Sequence, residues 1–310
     1  MEKLAAIVGP TASGKSAVAI EVARILNAEI ISCDSMQVYR GMDIGTAKAS
    51  RSDQNGVAHH LLDIAEPDEE YNVARYQAAC QAVISEINQR EKLPLLVGGT
   101  GLYYQAVVDN YCFTPMESRM VVRQKWNDLI EENGLAYAYA RLVEIDQSYA
   151  ERIKPQDQKR IVRALEVYEL SGETFSSTQT RNKDYYELSA VGLYLPRLQL
   201  YAGIEARVDQ MLEEGLVEEV AALRQKGCSL ANNSMQALGY KQVIYYLDGL
   251  ISREQMVNDI KKETRRYAKR QLTWFKKDER IVWINRAEYP EREILAQNIC
   301  KLIEGQLTMV

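Results

Sequence analysis

Eight residues, Gly9-Pro10-Thr11-Ala12-Ser13-Gly14-Lys15-Ser16, constrain what this chain can fold into more than any other stretch. They follow the apolar run LAAIV at 4–8 and precede a helical pattern from about Ser16 to Leu26, so G-x-x-x-x-G-K-[ST] stands between a strand and a helix. That is the context a P-loop requires. Its glycines let backbone N–H groups close around a phosphate, and the following helix N-terminus adds a favourable dipole. Lys15 supplies a point charge, and the Ser16 hydroxyl can hold Mg²⁺ directly or through water. The competing reading, an unused glycine turn, does not account for the strand and helix on either side.

The pattern around the motif extends to a fold class. Short β-rich runs alternate with amphipathic helices: LAAIV at 4–8, EIIS at 29–32, a helix around 72–90, LPLLV at 93–97, and later AVGLYL at 190–195 and IVWI at 281–284. Apolar residues run continuously in these strands, which predicts burial on both faces and hence a parallel sheet covered by helices. Between 113 and 185 the apolar period becomes three to four, as in RIVRALEVYEL, and no strong strand signal remains. The expectation is an α/β P-loop core of residues 1–112 and 186–310, interrupted by an all-helical insertion at 113–185. Turn signals at Gly227, Gly239 and Gly249 punctuate the later helices.

Composition removes several alternatives. With 310 residues, 46% apolar and 26% charged, the chain has the balance of a globular protein. Its longest apolar runs are about the length of Leu4–Val8, far short of the roughly 20 residues a membrane span needs. The N-terminus lacks the features of a secretory signal, so the cytoplasm is expected. Five cysteines, Cys33, Cys80, Cys112, Cys228 and Cys300, form no CxxC pair and have only His59 and His60 to join them, which argues against a disulfide framework or structural zinc. Net charge is −5, yet residues 261–277 hold eight Lys or Arg against one Glu, while 205–219 hold six acids against Arg207 alone. Such segregation suits either a face that meets a polyanion or a pair of solvated helices. A monomer with no obligate protein partner is expected, since no heptad seam is evident.

A phosphate cradle does not by itself name a reaction. The base-reading NKxD element of GTPases is missing: Asn182-Lys183-Asp184-Tyr185 has Tyr where Asp is needed. LPLLV runs into Gly98-Gly99-Thr100 rather than a Walker B acid, and His59-His60-Leu61-Leu62-Asp63 is a poor substitute. Asp34 follows the second strand, which puts a carboxylate at the carboxyl end of the sheet beside the loop, where such folds bind ligands. It can serve as a base, or as an N-cap or outer metal ligand.

The blocks GPTASGKS at 9–16, DSMQVYRGMDIGTAK at 34–48, GGTGLY at 98–103, KRIVRALEVYELSG at 159–172, ALGYKQ at 237–242 and AKRQLTWF at 268–275 occur in this order along nearly the whole chain. In them the sequence resembles the tRNA dimethylallyltransferase (tRNA isopentenylpyrophosphate transferase) family. The resemblance implies transfer of a dimethylallyl group from dimethylallyl diphosphate to N6 of adenosine 37 in the tRNA anticodon stem-loop, with release of pyrophosphate and dependence on Mg²⁺. It implies that Asp34 accepts the N6 proton or aligns the amine, that Arg207 forks onto the diphosphate, and that Thr11 and Thr100 hydrogen-bond reacting groups. It further implies tRNA contacts from Asp34, Ser35, Met36, Gln37, Thr100, Arg123, Lys159, Arg160, Ile161, Val162 and Arg163, with Lys269 and Arg270 gripping phosphates.

Two departures carry expectations. The family usually shows two arginines near Arg207, whereas this chain reads Gly203-Ile204-Glu205-Ala206-Arg207 and lacks the first. Weaker diphosphate binding, or compensation by another basic residue, follows. The Cys/His zinc-finger extension of eukaryotic relatives is not seen, which suggests a bacterial-type enzyme. From the residues alone, a P-loop kinase with a non-RNA acceptor and a nucleotide-gated RNA-binding protein remain as rivals.

Overall fold

A computed structural model describes residues 1–113, 119–178 and 181–307. The chain forms two compact units, one of Met1–Val108 with Asp184–Val310 and the other of Asp109–Lys183.

The first unit is a parallel α/β sandwich. Strands β1 (Glu2–Val8), β2 (Ala28–Cys33), β3 (His59–His60) and β4 (Leu93–Gly98) alternate with helices α1 (Lys15–Ile25), α2 (Arg51–Gln54), α3 (Val73–Gln89) and α4 (Gly101–Val108). Beyond the helical unit, numbered below, come β5 (Tyr186–Tyr194) and β6 (Ile281–Asn285), and the six strands lie in the order β3-β2-β4-β1-β5-β6. Every paired strand is parallel. The continuous apolar runs have the predicted consequence: along β1, Leu4, Ala6 and Val8 enter one core while Ala5 and Ile7 enter the opposite one. Each fully buried aliphatic side chain removes apolar surface worth about 1.5–3 kcal/mol, so both faces must be covered by helices. β3 escapes a reading by periodicity because it has two residues, paired only to Ile30 and Ile31.

The second unit comprises α5 (Arg119–Asn133), α6 (Leu135–Ile145), α7 (Gln147–Ala150), α8 (Gln158–Ser171) and α9 (Phe175–Thr178). Its own core gathers Trp126, Ile130, Ala138, Leu142, Ile161 and Leu165. Asp157 caps α8 by accepting the Arg160 N–H, and Gly172 at φ 72° ends it.

The remaining helices of the first unit are α10 (Arg197–Glu213), α11 (Leu216–Gln225), α12 (Tyr240–Leu247), α13 (Arg253–Phe275) and α14 (Arg292–Gln306). Gly227, Gly239 and Gly249 all adopt positive φ at the punctuation points expected of them. No helix of the described residues is long and apolar enough to cross a membrane.

Candidate active site

The site grows from the carboxyl ends of β1, β2 and β4. Gly9 leaves β1 at φ 142°, and a Cβ there would stand 2.3 Å from the Leu193 carbonyl oxygen, so only glycine lets the loop turn against β5. Gly14, at φ 84°, opens α1 and leaves Lys15 in its first turn. Lys15 is 9% exposed, and its Nζ donates to the Pro10 carbonyl at 2.6 Å, folding back onto its own loop.

β4 ends in Gly98 and Gly99 follows it; Cβ atoms there would meet the Cys33 carbonyl oxygen at 2.1 Å and Gln271 Nε2 at 2.2 Å. That crowding brings the three strand ends together. Ser35 N–H donates to Thr100 Oγ1 at 3.1 Å, and Asp34 Oδ1 accepts the Met36 N–H at 2.9 Å. Gln271, from α13 and 6% exposed, accepts the Thr11 N–H and donates to the Gly99 carbonyl, both at 2.9 Å. One carboxamide thus joins the P-loop to the Gly98-Gly99-Thr100 turn.

These elements enclose a cavity of about 360 Å³, lined by Thr11, Lys15, Ser16, Asp34, Arg207 and Arg270 among others. Its electrostatics are tightly coupled. Burial is the main reason the Lys15 ammonium falls from its ordinary 10.5 to about 7; the Arg207 charge lowers it further, against Asp34 and Cys33. Burial likewise lowers Arg207, opposed by Asp34. Tyr267, on the α13 wall, is raised by burial and by the Asp34 charge, tempered by a hydrogen bond with Thr100. One carboxylate is therefore within electrostatic reach of two cations and a phenol. Such a site can hold a polyanion at the Lys15 and Arg207 end and accept a proton at Asp34.

The structure brings Thr11, Lys15, Ser16, Asp34, Ser35, Met36, Gln37, Arg207 and Arg270 onto one cavity wall, with Gly9, Pro10, Ala12, Ser13 and Gly14 forming the loop behind it and Thr100 one hydrogen bond away. Gln37 has its carboxamide engaged, accepting from Ser32 Oγ at 2.8 Å and donating to the Thr46 carbonyl at 3.2 Å. Arg123, Lys159, Arg160 and Arg163 belong to the helical unit, where fully buried Glu166 holds Arg123 and Arg163 at 3.2 Å each. Ile161 and Val162 are 0% and 4% exposed, and their side chains pack in the core of that unit. The 261–277 stripe is partly spent on protein, because Lys261 pairs with Asp209 and Arg265 with Glu205, each at 2.6 Å, joining α13 to the acidic α10. Lys269 and Arg270 remain exposed. Trp274 packs over Gly101, where a Cβ would meet its indole at 2.3 Å.

Gly203 faces the P-loop apex, its Cβ direction 3.6 Å from the Ala12 carbonyl oxygen, and Arg286 flanks the same loop, its Nε 3.6 Å from a Cβ position on Gly14. Arg286 stands just after β6, and its Nη1 donates to the Tyr289 carbonyl at 2.8 Å. Sequence reasoning gave no role to Gln271, Gly45 to Ala47 or Gln236, all on the cavity wall; only their places in or near the quoted blocks hinted at them.

Fold and cavity define a P-loop α/β protein that sets an anion cradle, three cations and a single carboxylate in one chamber. The family model described as IPP transferase matches residues 37–278, and the chain belongs to that family. It is 62% identical over 310 residues to a tRNA dimethylallyltransferase of Syntrophomonas wolfei, covering 100% of both chains. It is 46% identical over 306 residues to the protein of the same name from Caldanaerobacter subterraneus, covering 97% of each. Among solved structures it resembles the tRNA isopentenylpyrophosphate transferase of Bacillus halodurans, at TM-score 0.73 and 39% identity over 99% of this chain and 98% of that one. A eukaryotic dimethylallyltransferase acting on tRNA aligns at TM-score 0.76 and 29% identity, over 92% of this chain and 74% of that one.

Proposed function

We propose that the chain transfers the dimethylallyl group of dimethylallyl diphosphate to N6 of adenosine 37 in the tRNA anticodon loop, releasing pyrophosphate. The observation that carries this reading is the meeting of Lys15, Arg207 and Asp34 on one cavity behind a P-loop, with Gly98-Gly99-Thr100 where an ATPase would carry an acid.

In the reaction the bond between the allylic carbon and the diphosphate oxygen breaks, and the bond from N6 to that carbon forms. Negative charge grows on the departing oxygens. Lys15, the loop amides and the Arg207 fork stabilise it in a chamber where such interactions exceed their strength in water. Asp34 accepts the N6 proton, leaving a neutral secondary amine on the base. The adenine must leave its stack to reach Asp34, as targets of base-modifying enzymes do.

Magnesium fits the donor set. No group of three or more His, Cys, Asp or Glu able to hold a metal exists among the described residues. Ser16 and Asp34, however, present hard oxygens to the same cavity, and Mg²⁺ is commonly held by few protein oxygens and the phosphates of a substrate. When bound it supplies neutralisation of diphosphate charge. For tRNA, exposed Lys159 and Arg160, the Arg123 and Arg163 pair, and Lys269 and Arg270 offer phosphate contacts. The protein acts as a monomer in the cytoplasm.

The test is incubation of purified protein with unmodified tRNA, Mg²⁺ and labelled dimethylallyl diphosphate, followed by digestion of the RNA. The expected outcome is label on N6 of adenosine 37, reduced about 10²-fold or more in Asp34→Ala with tRNA affinity retained. Consumption of ATP without prenyl transfer would replace this reading with a kinase.

A further inference from the structure

The cavity wall formed by Gly45, Thr46 and Ala47 is held from outside by one carboxylate. Glu219 of α11 accepts the backbone N–H groups of Asp43 and Ile44 on Oε2, both at 2.8 Å, and that of Gly45 on Oε1 at 3.2 Å. Its Oε1 also accepts the Tyr240 hydroxyl at 2.5 Å. Three consecutive N–H groups on one anion make a nest, a concavity of backbone donors that selects negative charge. Tyr240 is fully buried, and its ring occupies the space a Gly45 Cβ would need, 2.4 Å away, so the loop is pressed onto the ring that Glu219 orients.

The next peptide carries the consequence into the site. The Thr46 carbonyl accepts Arg207 Nη2 at 3.4 Å and Gln37 Nε2 at 3.2 Å. The guanidinium at the anion end of the cavity therefore takes its bearing from a carbonyl whose place is set by the backbone Glu219 holds. α11 presents this side chain because Gly215, at φ 102°, starts the helix and buried Leu216, Val220 and Leu223 form the stripe that Glu219 borders.

We propose that Glu219 is a positioning residue for diphosphate binding: it fixes the backbone of Asp43 to Gly45 so that the Thr46 carbonyl orients Arg207. The proposal rests on the prenyl-transfer reading of the cavity. Glutamine at 219 keeps the size but turns an amide NH₂ toward backbone donors, so it cannot accept all three N–H groups.

The experiment compares wild type, Glu219→Gln, Tyr240→Phe, Arg207→Ala and the Glu219→Gln/Arg207→Ala double variant as full chains. It reads the Kd of inorganic pyrophosphate by calorimetry, the KM and kcat of prenyl transfer, and the urea midpoint. Glu219→Gln is expected to weaken pyrophosphate and raise the KM for dimethylallyl diphosphate about tenfold, the scale of one charge-assisted hydrogen bond, with kcat changed less than about threefold. Tyr240→Phe, which leaves the three N–H bonds in place, is expected to stay within about twofold on both. The double variant should bind no more weakly than Arg207→Ala alone, the mark of one residue acting through the other. Unchanged pyrophosphate affinity in Glu219→Gln, or additive losses in the double variant, would overturn the proposal. Wild type that binds pyrophosphate but transfers no prenyl group would instead sink the transfer reading and leave the binding comparison to decide Glu219.

Discussion

Lys15 is held by conflicting demands, because the motif places it where a phosphate will sit and the fold buries it before any phosphate arrives. Its ammonium is brought from 10.5 down to about 7, chiefly by that burial. Below pH 7 both folded and unfolded chains carry the proton, and the folded state bears the full cost of a buried charge. Between about pH 7 and 10.5 the unfolded chain holds a proton that the folded chain has lost, so wild-type stability rises with pH across that window. Lys15→Met removes the group and with it the slope. Urea titrations at about pH 6 and about pH 9.5 should show the variant more stable than wild type at the lower pH by about 2 kcal/mol or more, and the advantage shrinking at the higher. A pH-independent difference would mean that Lys15 is solvated in the free protein. The place of Lys15 at the cavity was legible because its motif is local. Gln271 and Glu219 were not: the first reaches Thr11 across 260 positions, and the second reaches Ile44 across 175. No spacing rule connects residues that far apart, and Glu219 sat within a run of acids whose segregation suited two readings equally.

Helices and strands were legible where their period was long. Five strands fell on apolar runs, and both cores follow from the absence of alternation in them. Two-residue β3 has no period to read. α8 was legible as amphipathic, but basic and apolar residues interleave in Lys159 to Arg163, and only the folded helix separates the exposed Lys159 and Arg160 from buried Ile161 and Val162. The acidic and basic segments meet at this scale too: α10 and α13 pair through Lys261 with Asp209 and Arg265 with Glu205, so part of the segregated charge forms a helix-to-helix seam. Gly203 lies mid-helix in α10, where a Cβ would find Ala12 at 3.6 to 3.8 Å, an ordinary contact. Gly203→Ala is therefore expected to stabilise the chain by about 0.5–1 kcal/mol through helix propensity and a less flexible unfolded state. The check is the urea midpoint beside the KM for dimethylallyl diphosphate, which should hold. A lower midpoint would show that the P-loop apex needs the space glycine leaves.

At the scale of the whole chain, the cavity and several of the basic residues proposed to meet tRNA fall in two units with separate cores. All six strands and every residue lining the cavity belong to the first, while Arg123, Lys159, Arg160 and Arg163 belong to the second. The second unit leaves and returns at one place, since the Asn182 N–H donates to the Asp109 carbonyl at 2.8 Å. An insertion whose ends meet can be removed without stretching its host. A chain in which a short Gly/Ser linker replaces residues 110–181 should unfold cooperatively in urea and bind pyrophosphate within about threefold of the whole chain, since neither sheet nor cavity loses a residue. Its tRNA affinity should fall by about tenfold or more, and the remaining binding should depend less steeply on salt, because phosphate contacts from the removed cations no longer release counterions. Lost pyrophosphate affinity in a folded core would show that the helical unit supports the cradle itself. Retained tRNA affinity with an unchanged salt slope would place the whole RNA footprint on the α/β unit, with Lys269 and Arg270 as its anchors.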